Sequence, residues 1–244
     1  MNKKIFNNIL LNLFVSKYTG KISKSLLFKL LNFQQKNSLV IDNKKINQIY
    51  NDYNISFMNE RTIEIPFVLH LLKKYIKLFS NLNILEIGNT LIHYENKNNI
   101  IKRKILDKYE VYPNVINLDL EDYKSTKKFN IIFSISTLEH IGSDYGENRN
   151  DSKFKKSISK CIELLDQDGF LIITLPIYYR NVVDDFIFEN NMFLEKHFFL
   201  RKNIQNDWMK STEKETKANK NKLIYNKNFP LANALFIGVI KKSN

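Results

Sequence analysis

From Ile84 to Ile87 the chain runs Ile-Leu-Glu-Ile and then stops on Gly88. A run this short reads as a buried strand, and a glycine at its carboxyl end lets the backbone turn sharply and bring bare N–H groups against a ligand. The theme then repeats. Lys104 to Asp107, Val115 to Asp119, Phe129 to Ser136 and Phe170 to Leu175 read as further strands, the last ended by Pro176, and Ala232 to Ile240 as a final one. Phe129 to Ser136 is apolar almost throughout, as a parallel strand covered on both faces must be. Lys153 to Leu165 spaces its apolar residues as an amphipathic helix, closed by Asp168 and Gly169. After a further helical stretch, Lys210 to Asn228 is a polar Lys- and Asn-rich loop. Strands alternating with helices specify an α/β fold, a Rossmann-like, doubly wound, mostly parallel sheet.

This domain occupies residues 58–244, and residues 1–57 form an N-terminal helical extension. In the extension, Ile5, Phe6, Ile9, Leu10, Leu13 and Phe14 fall at helical spacing, and Ile22 to Phe33 carries Leu26, Leu27, Leu30 and Leu31 along one face. The next helix has Pro66 near its start, where a proline is tolerated, and runs to about Ser80. The first helix packs on its own domain; residues 1–17 with Lys3, Lys4 and Lys17 could alternatively lie on an anionic membrane surface. Asn7, Asn8 and Asn12 interrupt the apolar region, so it is not read as a signal peptide. No apolar run reaches the roughly 18 residues of a membrane span.

The glycine turn narrows the ligand. A dinucleotide fold shows G-x-G-x-x-G so that a pyrophosphate can approach the backbone, but Asn89, Thr90, Leu91 and Ile92 follow Gly88 here. A cofactor without phosphates, such as S-adenosylmethionine, tolerates this. It needs the turn, a donor for its carboxylate and an acid for its ribose, and Asp107 lies nineteen positions past Gly88.

In such sheets the ligand binds at the carboxyl ends of the strands. The segments there, LEIG (Leu85 to Gly88), LDLED (Leu118 to Asp122), FNIIFSISTLEHIG (Phe129 to Gly142) and DGFLIITLP (Asp168 to Pro176), resemble in order and spacing those of class I S-adenosylmethionine-dependent methyltransferases over residues 58–180. The chain is also similar to bacterial methyltransferase-like proteins with an N-E-R-x-x-E-x-P segment, here Asn59 to Pro66, and an S-T-x-E-H-I-G segment followed by Y-G, here Ser136 to Gly142 and then Tyr145-Gly146. That resemblance implies that Gly88 and Asn89 cradle the aminocarboxypropyl part of the cofactor while Glu86 orients the loop. It implies that Asp107 accepts hydrogen bonds from both ribose hydroxyls, that Asp119 and Leu120 border the adenine, and that Ser134 to Ser136 line the floor.

Other residues are candidates by their own chemistry. His140, beside Glu139, stands where a histidine could serve as general base for an acceptor hydroxyl. His93 could contact cofactor or substrate. Arg61 could pair with the cofactor carboxylate or with Glu64 one turn away. His70, His93, His140 and His197 show no ligand spacing with carboxylates, so no metal is expected.

The expected reaction is transfer of a methyl group to a small-molecule or glycan hydroxyl, an in-line displacement in which the protein supplies alignment and a dry site. RNA methylation is the alternative that charge favours, the formal net charge being +13. Only five of 38 basic residues are Arg, however, which reads as coding bias toward Lys and does not favour a nucleic-acid partner. A methyltransferase fold serving only as a binding module is the third reading. The single Cys161 lies at a core position and excludes an internal disulfide, which fits a reducing bacterial cytoplasm.

Overall fold

The computed structural model describes residues 38–49, 53, 59–95, 100–143, 148–189, 194–204 and 206–243. The expected helices at residues 5–15 and 22–33, and the Tyr145-Gly146 pair, lie outside the described residues.

The first described element differs from the helical expectation for residues 1–57. Ser38–Ile41 (β1) and Lys44–Asn47 (β2) form an antiparallel hairpin. Its turn residues Asp42 and Asn43 have φ of 50 and 59, the left-handed pair that a two-residue hairpin turn demands and that Asp and Asn tolerate. Leu39, Ile41 and Ile46 face inward, while Asp42 is held by Lys196 and Lys74.

Arg61–Tyr75 is α1. It starts earlier than expected, so Pro66 is its sixth residue and lies beyond the first turn. A proline there leaves the Thr62 carbonyl without its helical donor, and the Ile49 N–H supplies one at 2.9 Å. The segment that leaves the hairpin therefore repairs the helix.

Ile84–Ile87 (β3), Lys104–Leu106 (β4), Val115–Ile116 (β5), Phe129–Ile135 (β6), Leu165–Pro176 (β7), Leu194–Lys202 (β8), Trp208–Ser211 (β9) and Ala234–Lys241 (β10) make one sheet in the order β5-β4-β3-β6-β7-β10-β8-β9. The first five run parallel, and β10 is antiparallel to both β7 and β8. This is the Rossmann-like doubly wound sheet of class I methyltransferase type, its strand order reversing between β3 and β6. Successive strand residues feed opposite cores. Leu85, Ile132 and Ile173 join α2 (Asp151–Leu164) and α3 (Asn181–Glu189) on one face, and Ile84, Phe133 and Ile172 join α1 on the other.

Several boundaries differ from the expected ones. The third strand stops at Ile116, because the Asn117 side chain turns back to the carbonyls of Asp107 and Glu110 at 3.0 and 2.9 Å. The helix expected to close at Asp168-Gly169 ends at Leu164, and β7 begins at once and carries those residues in a bulge, Asp168 at φ 59. The region read as a helical stretch followed by a polar loop holds α3 and, beyond it, the strand β8, the edge strand β9 and the short helices Glu213–Ala218 (α4) and Lys220–Leu223 (α5). Thr212 and Glu215 form a reciprocal capping box at the start of α4. Between β3 and β4 the helical structure described is one 3-10 turn, Leu91–Tyr94.

Candidate functional site

The carboxyl ends of β3, β4 and β6 meet where the strand order reverses, and a cleft of about 340 Å³ opens there. Gly88 makes its floor possible. Its φ of +88 is left-handed, and a Cβ added to it would lie 2.3 Å from Thr137 Oγ1. No side chain fits between the turn and β6's exit. The Gly88 N–H donates to the Leu106 carbonyl at 2.8 Å, tying the end of β3 to the end of β4.

Side chains brace the loop beyond Gly88. The Asn89 Nδ2 donates to Glu110 Oε1 at 2.8 Å, and the same oxygen lies 3.2 Å from His93 Nε2. His93 in turn stacks on the Tyr53 ring at 3.6 Å. Beneath the loop Glu86 is fully buried, one oxygen accepting from the Leu91 N–H at 2.7 Å and the other paired with Arg103. Burial pushes the Glu86 carboxyl up to about 7 against the opposing pull of that guanidinium.

At the end of β4, Asp107 Oδ1 accepts the N–H groups of Tyr109 and Glu110 at 2.8 and 2.7 Å. Asp119 Oδ1 accepts the Glu121 N–H at 3.1 Å and its other oxygen pairs with Lys108 at 3.1 Å. Both carboxylates therefore cap turns, and both also line the cleft together with Leu120.

The opposite wall comes from α1 and the exit of β6. Arg61 donates to Glu64 Oε2 at 2.8 Å and to the carbonyls of Ile135 and Ser136 at 2.8 and 3.3 Å, and it also faces the cleft. Its pairing with Glu64 is thus present in the structure. Ser136 is held at φ 38, its hydroxyl donating to Glu64 and its N–H meeting Thr174 Oγ1 at 2.9 Å. Burial raises the Glu64 carboxyl, with Arg61 opposing.

His140 lines the same wall. Its Nδ1 is 3.1 Å from the Tyr179 hydroxyl and its Nε2 is 3.6 Å from Glu139 Oε1. The Glu139 carboxyl is wholly buried, and neither of its oxygens has a hydrogen-bond partner among the described residues. Burial holds it well above the usual carboxylate range, and the neighbouring Glu64 adds to the rise.

Of the residues expected from the sequence, Arg61, Gly88, Asn89, Asp107, Asp119, Leu120, Ser136 and His140 therefore share one cleft. Glu86, His93, Ser134 and Glu139 stand behind its walls. Ser134 lies two residues, about 7 Å, further back along β6 than Ser136, and so is packed inside the sheet. Sequence reasoning missed Glu110, and it placed Thr137 at the end of the fourth strand without giving it a role. That role could have been found from the need of a lone glycine for a close neighbour, but Glu110 gave no signal beyond position after a strand. Among the described residues, no cluster of three or more His, Cys, Asp or Glu side chains is placed to hold a metal, and no helix is long and apolar enough to cross a membrane.

No family model and no curated protein matches the chain. Solved structures do. The chain is similar to the N-methyltransferase NodS from Bradyrhizobium japonicum in complex with S-adenosyl-l-homocysteine, at 9% identity over 72% of this chain and 85% of that one, with a TM-score of 0.42. Coclaurine N-methyltransferase matches at 12% identity over 98% and 93%, also with a TM-score of 0.42. A S-adenosylmethionine-dependent methyltransferase from Clostridium acetobutylicum matches at 12% identity over 74% and 91%, with a TM-score of 0.40. The fold assignment rests on the strand order and directions of the sheet itself.

Proposed function

We propose that this chain is a S-adenosylmethionine-dependent methyltransferase whose acceptor is a hydroxyl of a small molecule or glycan. The observation that carries the proposal is the convergence on one cleft of a glycine turn that admits no Cβ, a cation from α1 and a carboxylate at the end of the neighbouring strand. Each answers one part of the cofactor: Gly88 and Asn89 the aminocarboxypropyl chain, Arg61 its carboxylate, Asp107 the ribose diol. Asp107 has one oxygen engaged with backbone N–H groups, and its Oδ2 accepts no bond among the described residues. Asp119 and Leu120 border the adenine end, and Ser136 lies on the floor.

When bound, the cofactor supplies a methyl carbon already activated for displacement. The protein's share is alignment, exclusion of water and disposal of the acceptor's proton. Glu86 and Arg103 hold the turn from below, Glu64 holds Arg61 and Ser136, and His140 with Glu139 takes the proton.

A second reading, a binding module without catalysis, is favoured by the Gly88 N–H, which is already engaged by Leu106. Calorimetric titration with S-adenosylmethionine tests the proposal. Saturable binding below about 1 mM is expected, and no heat at that concentration sinks it. Binding with no methyl transfer to any small-molecule, glycan or RNA fraction favours the module, and transfer to RNA alone replaces the acceptor class.

A further inference from the structure

His140 is the base in the proposed reaction, yet both of its ring nitrogens face protein groups. Nε2 looks toward the buried Glu139 carboxyl at 3.6 Å and Nδ1 meets the Tyr179 hydroxyl at 3.1 Å. Resting on that proposed role, we infer that Tyr179 is a positioning residue for His140: its hydroxyl donates to Nδ1 and so holds the imidazole in the tautomer with its proton on Nε2, directed at Glu139.

Two arguments fix the direction. A phenol is a far stronger acid than a neutral imidazole N–H, so at neutral pH the hydroxyl gives its hydrogen to the ring lone pair. Meanwhile Glu139 has two buried oxygens with no hydrogen-bond partner among the described residues, and an acceptor left in that state is costly. The Nε2–H pointed toward Glu139 lowers that cost, and the opposite tautomer would not.

The surroundings hold all three groups in place. Arg180 donates from Nη1 to the carbonyls of Glu139 and Ile141 and from Nη2 to Asp151 at 2.7 Å, clamping the turn that carries His140. Tyr178 is kept in the left-handed region at φ 61 while its N–H donates to Asp184 Oδ1 at 2.8 Å, and this strained turn delivers Tyr179 to the histidine. Such strain persists only where the surroundings over-determine it, and it gathers at working sites. The Tyr179 ring also packs on Tyr225, with centroids 4.8 Å apart. Behind Glu139 stand Arg61, Glu64 and Glu60 of the α1 entry, the charged groups that face it from that side.

The consequence for chemistry is a change of the receiving atom. With Nε2 protonated, Nδ1 is the ring's one basic nitrogen, so the proton that His140 takes from an acceptor hydroxyl arrives on the side that the Tyr179 hydroxyl holds. The imidazolium that results lies beside Glu139.

Nitrogen-15 NMR of the histidine rings in the full chain reads this without any acceptor. The chain has four histidines, so His140 is assignable by its loss in His140→Gln. The expected result is a single-tautomer pattern for His140 with the proton on Nε2. In Tyr179→Phe, which keeps the ring on Tyr225, that pattern should give way to a mixed one, and Glu139→Gln should weaken it in the same direction. Unchanged signals from His70, His93 and His197 report that each variant has folded. A proton on Nδ1 in the native protein overturns the inference, as does an unaltered pattern in folded Tyr179→Phe. Neither result depends on cofactor binding, so the outcome is separable from that of the calorimetric titration.

Discussion

The two walls of the cleft solve the problem of buried charge in opposite ways. On the β3–β4 wall Glu86 is sunk completely, but both of its oxygens are used, by the Leu91 N–H and by Arg103, which is itself paired with Glu95 at 2.8 Å. On the β6–β7 wall Glu139 is just as deep and has no hydrogen-bond partner among the described residues. The strained backbone follows the same division, since Ser136 and Tyr178, at φ 38 and 61, both belong to the second wall. A satisfied buried acid builds a scaffold, whereas an unsatisfied one beside strained backbone marks a place kept for chemistry. The β3–β4 wall is thus structure first, and the β6–β7 wall carries the poised groups.

Breaking the scaffold should cost most. Arg103→Met leaves Glu86 buried without its cation, and Glu86→Met strands the guanidinium, so each should lower stability in urea by about 3–5 kcal/mol. A loss under about 1 kcal/mol in both would erase the contrast.

The Glu86 carboxyl also makes stability depend on pH. Its folded value, about 7, is raised above the ordinary 4.5. Its stabilising contribution is therefore fully present below pH 4.5 and is lost as pH rises through 7, by about 3 kcal/mol as an upper bound. Denaturation midpoints measured from pH 4.5 to 8 should show this decline relative to Glu86→Gln; parallel curves for the two proteins would contradict it.

The β6–β7 wall should respond with the reverse sign. Glu139→Met removes two unpartnered oxygens and adds nothing polar, so it should stabilise by about 1–3 kcal/mol while weakening the His140 tautomer preference. Destabilisation of that size would mean that Glu139 is structural after all.

How far these contrasts could be read in advance depended on what kind of signal each part left. Strand ends were legible because burial on both faces forces apolar runs and a sharp turn forces Gly88, and the resemblance of those strand-end segments then pointed to Asn89, Asp107, Asp119, Leu120 and Ser136. The hairpin at Asp42-Asn43 was read as part of a helical extension and the capping box at Thr212 as loop, because the surrounding lysines and asparagines hide both. The β8 and β9 strands were read as a helical stretch and loop, since partly exposed strands carry a weak apolar signal. Least visible were the pairings: nothing in the spacing joins Glu86 to Arg103 or His140 to Tyr179, because the contacts are set by which strands lie side by side.

Gly88 joins the two walls, so Gly88→Ala tests them together. The new methyl meets Thr137 and the backbone is held at φ +88, which together should cost about 1–3 kcal/mol of stability. Thr137→Ser beside it removes one of the contacts and should recover part of the loss. No recovery would mean that backbone strain outweighs the clash.

The smallest effect separates the two jobs of Asp107. Asp107→Asn keeps an oxygen that can accept the Tyr109 and Glu110 N–H groups, so the turn after β4 should survive with stability changed by less than about 0.5 kcal/mol. What it loses is the second acceptor oxygen and the charge, so S-adenosylmethionine affinity should fall about tenfold, near 1.4 kcal/mol. Asp107→Ala should lose both the turn and the affinity. Equal stability loss in the two variants with affinity untouched would leave Asp107 as a turn cap alone and move ribose recognition to the other carboxylate on this wall, Asp119.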